Sequence, residues 1–528
     1  QKLVSCDSFT WIGEHFSVSL ETLKREAYQI ILHGINRIVY HGYPYSPKEA
    51  GVPGWVFYAA VCANHNNTWL PYMPLINTYI ARNSYLSQQG DEVVDFAVYL
   101  PYHDEWSGRK DVLKNLRTKL KLNGHLTDYD YINDERLLNA SSVQDQQLVV
   151  GNRFYTALLF IDVEYLPFKI AQKLKNLIED GLLVYFIEQM PSKSPGLMAF
   201  QNHEAEKVKN LFKMTTSTQK AADLNVVYLP SIEKLPQDLN NRGIYPDFTL
   251  LSAKNKTIST LNLEYIHYHN RDADYYFVVN GPEKIEQANL RFRIDFDPCI
   301  EIWNSLTGEI TDLGTFEKPH EVVVLTLSFA PFESKWIVFS REHSRTQESE
   351  KLQELDMKAA TTLDLKWDIQ FYSPLNVFPP ESENFINKKQ TNLFDWTQDP
   401  ETMYFSGSAT YNSEFLLSKE QLHIYQQILI DLGEVHEIAE LKINDHDLGV
   451  LWQGERVCNI TQAVHEGINS IKIIVTNLLL NQVIGYDRRG VKWKPDYYFV
   501  DRNYKNFDAK EWVPLKSGLL GPLQLKFF

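Results

Sequence analysis

The sequence predicts a multidomain α/β plus β chain, and three observations carry that reading. A strand–helix–strand unit opens the chain at residues 3–40. Strand and helix patterns then alternate at short spacing across residues 91–240. From about residue 245 onward, short strands separated by turn residues replace helical periodicity. Alternating elements build parallel sheets, whereas successive short strands build sandwiches. A length of 528 residues leaves room for roughly three to five domains. The expected organisation is the C-terminal part of a (β/α)8-type barrel at 1–90 and a flavodoxin-like α/β domain at 91–240. A β-sandwich at 241–345, a linker at 346–366 and a second β-sandwich at 367–528 follow.

In the opening unit, residues 3–6 form a short apolar run, as expected of a strand buried on both faces. Ser19 is placed to cap the following helix, with Glu21 in its first turn. Leu20, Leu23, Ala27, Ile30 and Ile31 recur at helical spacing. Gly34 takes the position just past the helix end, and residues 35–40 form the next strand. Such a unit belongs to a parallel sheet or to a (β/α)8 barrel. In the barrel, side chains just past the strand ends line the active site, which puts Asp7 and His41 at the mouth. Asp7 as a turn cap and His41 as a structural histidine are the plainer readings of the same residues. Glu14 and His15, in the loop after the first strand, can orient a substrate or supply a metal ligand, or simply close a salt bridge. The aromatic and polar segment from Trp55 to Trp69 reads as an active-site loop. About two βα units precede the change of pattern, and a closed barrel needs eight strands, so the front of this domain is expected upstream of residue 1.

A helix at 74–90 completes the first region. In the second, strands are expected at 93–100, 128–132, 157–161 and 182–187, with helices at 110–122 and 168–179. No glycine-rich phosphate loop follows the first of these strands, so no nucleotide is assigned; Asp104, Glu105 and Trp106 there read as a solvated loop. The first sandwich draws on strands at 261–267, 274–280, 289–296, 301–303 and 322–327. Residues 345–364 are polar and charged. The last domain draws on 405–411, 428–433, 439–444 and 469–476.

A net charge of −15 without any polybasic run argues against a nucleic-acid partner. No apolar stretch approaches the ~20 residues of a membrane span. Cys6, Cys62, Cys299 and Cys458 are widely separated and form no CxxC pair, so neither a zinc site nor a disulfide framework is implied.

The segment Val4-Ser-Cys-Asp-Ser-Phe-Thr-Trp-Ile-Gly-Glu-His-Phe16, with Gly34-Ile-Asn-Arg37 and His41-Gly42, resembles the calcium-dependent α-L-rhamnosidases of glycoside hydrolase family 106. A C-terminal set, Phe405-Ser-Gly-Ser-Ala-Thr-Tyr411, Asp431-Leu-Gly433 and Ser517-Gly-Leu-Leu-Gly-Pro522 among it, resembles the galactose-binding-like jelly-roll sandwich appended to many glycosidases. The resemblance implies a carbohydrate substrate, terminal L-rhamnose, and a periplasmic or secreted location. It implies calcium without naming its ligands, and an inverting mechanism between two carboxyl groups ~6.5–9.5 Å apart. It gives Asp7 the general-base position, which the family usually fills with glutamate, and places the general acid on an earlier barrel strand. In the last domain Trp452 reads as core, and Asn444 and Asn477 as turn residues. A non-catalytic carbohydrate-binding scaffold, or a glycosidase for another sugar such as galactose, are the alternatives.

Overall fold

The computed structural model describes residues 3–56, 58–122, 129–139, 141–216, 225–251, 263–315, 322–342, 357–372, 385–491 and 508–528. It opens with β1 (Ser5–Ser8), α1 (Leu20–Leu32) and β2 (Arg37–Tyr40), and the two strands pair in parallel with Asp7 opposite Val39. The Ser19 hydroxyl caps α1 by accepting the Thr22 amide, and Gly34 follows the helix at φ +79°. Leu20, Leu23, Ala27 and Ile31 bury one side of α1. The strands are not buried on both faces as expected. Ser5 and Asp7 are exposed, as are Leu3 and Val39 at 50% and 43%, while Ser8 turns inward. Successive side chains of a strand point to opposite faces, so only the face toward the helices is covered. With α2 (Met73–Leu86), which packs on α1 and β2, these elements are what the described residues contain of the expected (β/α)8-type unit.

The alternating region forms one five-stranded, all-parallel sheet. Its strands are Phe96–Tyr99, Tyr129–Ile132, Ala157–Ile161, Leu183–Ile187 and Val226–Leu229. In space they run second, first, third, fourth, fifth, which is the flavodoxin-like order. The first, third and fourth strands are buried along their whole length, because helices cover both faces. Leu174 and Phe212 pack on one side, Leu116 and Leu235 on the other. A small antiparallel sheet (Ser141–Gln144, Gln147–Val150, Arg153–Tyr155) interrupts the pattern. It was not anticipated, and neither were the fifth strand or the helices Glu204–Thr216 and Leu235–Asn241.

Two antiparallel sheets follow: a three-stranded one (Phe248–Leu251, Ile285–Arg293, Val322–Phe329) and a six-stranded one, whose edge pair Asp91–Glu92 comes from the junction with α2. Tyr276, Leu290, Phe292 and Phe339 fill the space between them. The last domain again opposes a six-stranded and a four-stranded sheet. Expected linker residues 345–356 lie outside the described residues, but Ala359–Thr362 is a strand paired with Gln524–Phe527, so this stretch belongs to the last sandwich. In that core the Tyr411 hydroxyl accepts the Trp396 indole N–H at 2.7 Å and the Leu519 amide at 3.2 Å. The opening unit is clamped between the two sandwiches. Lys24 donates to the Phe332 carbonyl of one and to Gln453 of the other, and Ile438, Trp452 and Leu478 join the apolar cluster under α1.

Candidate active site

β1 and β2 end together: the Ser8 carbonyl accepts the His41 amide at 2.9 Å. Asp7 lies one residue before that end, exposed on the open face, with Val39 opposite and His41 two residues further along β2's side. The carboxylate thus stands at the carboxyl end of a parallel strand, where barrel enzymes gather their chemistry. Thr10 ties the next residues together. Its hydroxyl lies 3.0 Å from His41 Nδ1 and donates to the His41 carbonyl at 3.3 Å. A hydroxyl has one proton to give. When Thr10 spends it on the carbonyl, the ring nitrogen is left to donate to the Thr10 oxygen.

The loop beyond His41 carries exposed rings, Tyr43 at 60% and Tyr45 at 70%. Tyr45 meets Trp55 edge-on, centroids 5.8 Å apart, and Trp55 is half-buried with its backbone amide donating to Ser46 Oγ at 2.7 Å. Beneath the loop lie the buried side chains Ser46, Asn64, Asn66 and Asn67. Asn64 donates to the Pro44 carbonyl and Asn67 to the Cys62 carbonyl. Gly54 sits at φ +86°, and a Cβ there would meet Ser46 Oγ and Asn66 Nδ2 at 2.3 Å. The loop therefore has room for glycine alone.

Two expected binding residues are elsewhere. Trp69 is 1% exposed and its indole N–H donates to the Val18 carbonyl at 2.9 Å, so it is a core residue with no face open to a sugar. His15 is 2% exposed and stacks parallel on Trp512, centroids 6.4 Å apart. Burial against a ring almost five hundred positions away withdraws it from the mouth. Glu14 is partly exposed and its backbone carbonyl accepts the Ser17 hydroxyl at 2.7 Å, as a turn residue. Of the expected set, β1 and β2 bring together Asp7 and His41. Sequence reasoning passed over Thr10, Tyr43 and Tyr45. The Tyr-Pro-Tyr run after His41 was the available signal, since prolines keep a segment out of helix and central strand.

Asp104 is not in a solvated loop. It is fully buried and accepts Arg109 at 2.6 Å and the Glu164 amide at 2.9 Å. Burial pushes its carboxyl up, against the pull of Arg109. Among the described residues no three of His, Cys, Asp and Glu converge to hold a metal ion.

A structure of a rhamnosidase from Novosphingobium sp. PP1Y shares this fold at a TM-score of 0.74 and 22% identity, over 99% of the present chain and 48% of that one. A protein of Formosa agariphila named "Putative beta-glucuronidase" is 25% identical over 349 residues, 65% of this chain and 28% of that protein. The chain thus spans less than half the length of these two relatives. Residues 1–318, more than half of the chain, match the sequence profile of the alpha-L-rhamnosidases of glycoside hydrolase family 106, and the chain belongs to that family.

Proposed function

We propose that residues 1–90 form part of the sugar-cleaving site of an α-L-rhamnosidase that releases terminal L-rhamnose with inversion. The observation that carries this is the exposed Asp7 carboxylate at the carboxyl end of β1, within the segment that matches the family. In single-displacement hydrolysis the base takes a proton from water as the oxygen attacks the anomeric carbon. An acid on the opposite face protonates the leaving oxygen. Asp7 fills the base role in this reading. The His41 ring binds a sugar hydroxyl, and the rings of Tyr43 and Tyr45 flank the sugar. The acid comes from outside these residues, so the activity is that of the whole protein, which acts in the periplasm or after secretion.

The test is turnover of p-nitrophenyl α-L-rhamnopyranoside by the full-length protein. Asp7→Asn keeps the shape and removes the base, and kcat should fall 10²–10⁴-fold with KM nearly unchanged, while Asp7→Glu retains part of the activity. Unchanged kcat in both variants refutes the role. A panel of rhamnoside, galactoside and glucuronide separates the sugars. A second reading rests on Asp7 itself, where the resembling family carries glutamate. There the protein binds rhamnose without turnover, and rhamnose raises the melting temperature while no glycoside is cleaved.

A further inference from the structure

The outer face of the three-stranded sheet carries two neighbouring arginines with opposite fates. Arg291 and Arg293 are two residues apart on one strand and therefore share a face. Arg293 is neutralised twice over. It grips Asp95 with both terminal nitrogens, at 2.8 and 3.0 Å, and lies 3.3 Å from Asp247. Arg291 has no carboxylate within ion-pair distance among the described residues; its guanidinium lies 5.0 Å from the Tyr245 ring centroid. Beside it is a cavity of about 190 Å³ between this sheet and the helix Leu235–Asn241, with Arg291, Tyr245, Thr249 and Asn240 among its lining. Phe96 and Leu239 supply apolar wall. Thr249 stands directly opposite Arg291 in the antiparallel register, so the two side chains rise together. Thr249 is 6% exposed, and its hydroxyl has no hydrogen-bond partner among the described residues.

Each feature asks for the same complement. A guanidinium binds a carboxylate in a two-pronged fork, and none of the described carboxylates occupies that of Arg291. A buried hydroxyl without a partner is rare in native proteins and marks a place where something polar belongs. The Asn240 amide and the Tyr245 ring suit the hydroxyls and the flat face of a small ring. The volume lies below the ~300–1,000 Å³ that drug-sized ligands occupy, which limits the occupant to a single ring. We infer that this cleft between the α/β domain and the first sandwich is a binding site for one carboxylate-bearing sugar ring of the hexuronate class. Arg291 holds the carboxylate, and Asn240 and Thr249 hold hydroxyls. The site is separate from the Asp7 mouth and does not depend on the activity proposed there.

The test is isothermal titration of the intact chain with D-glucuronate, D-glucose and acetate. Glucuronate should saturate one site and bind at least tenfold more tightly than either of the others. Arg291→Gln should weaken it at least tenfold and Arg291→Lys less, with melting temperatures unchanged. Thr249→Val, nearly isosteric, should weaken it several-fold. Chemical-shift changes confined to Tyr245 and its neighbours would locate the ligand. The inference is overturned if glucuronate does not bind, if glucose or acetate binds equally well, or if Arg291→Gln leaves its affinity intact.

Discussion

His267 is the perturbation whose outcome the first sandwich determines most directly. It is 4% exposed and lies between two carboxylates, with Nδ1 3.0 Å from Asp247 and Nε2 2.8 Å from Asp274. Arg293, Asp95, His269 and the Tyr276 hydroxyl complete the cluster. Burial alone would push the imidazole down, but the two carboxylates outweigh it and hold the ring at about 9 instead of 6.5. A folded-state value above the unfolded one means that protonation favours the fold. This stabilisation is complete below about pH 6.5 and is lost as the pH rises through about 9. A shift of that size corresponds to about 3 kcal/mol, or roughly 6–12 °C of melting temperature for a cooperative unit of 150–250 residues. Lys24 acts in the opposite sense. Burial lowers it to about 8, with Glu21 and Glu333 countering, so its burial penalty is relieved as the pH rises from about 8 toward 10.5. The assay is therefore a difference: calorimetric melts of wild type and His267→Gln from pH 6 to 10, in which the Lys24 contribution cancels. The advantage of the wild type should be largest at pH 6 and shrink steadily to pH 10. A constant offset across that range refutes the idea that His267 is held as an imidazolium.

The remaining predictions concern the loop and the cores. Gly54→Ala forces a Cβ onto Ser46 and Asn66 at a left-handed φ; it should raise KM for any substrate of the Asp7 mouth and increase proteolytic nicking between residues 42 and 69, while leaving the two sandwiches folded by circular dichroism. Trp69→Phe leaves the Val18 carbonyl without its donor and should cost about 1–3 kcal/mol in urea denaturation with KM unchanged, since Trp69 is buried in the core. Tyr411→Phe leaves two buried donors, the Trp396 indole and the Leu519 amide, without an acceptor, and should cost about 2–5 kcal/mol. Acid should weaken the first sandwich as well: burial raises Asp274, but bonds to His267 and His269 bring it to about 2, so its stabilisation is present above 3.8 and fades as the pH falls toward 2, an acid limb that Asp274→Asn should abolish.

What could be read from the chain alone followed the range of the physics. Features set within a dozen residues were legible. The Ser19 cap, the helical stripe of α1 and the turn at Gly34 stand where local rules put them. The strands expected at 93–100, 157–161 and 182–187, alternating with helices, announced the parallel sheet, and strands stand there. The first strand misled because Leu3-Val-Ser-Cys6 is apolar enough for a buried strand, whereas which of its faces is covered depends on neighbours that no local pattern encodes. His15 and Trp69 failed for the same reason. An aromatic or imidazole ring in a loop looks alike in sequence whether it meets solvent or, as here, Trp512 and the Val18 carbonyl. Arg291 and Arg293 make the point most sharply. They share one strand, one face and one residue type, and Asp95 and Asp247, which lie far from them in the chain, satisfy one arginine, while the other has no carboxylate within ion-pair distance among the described residues.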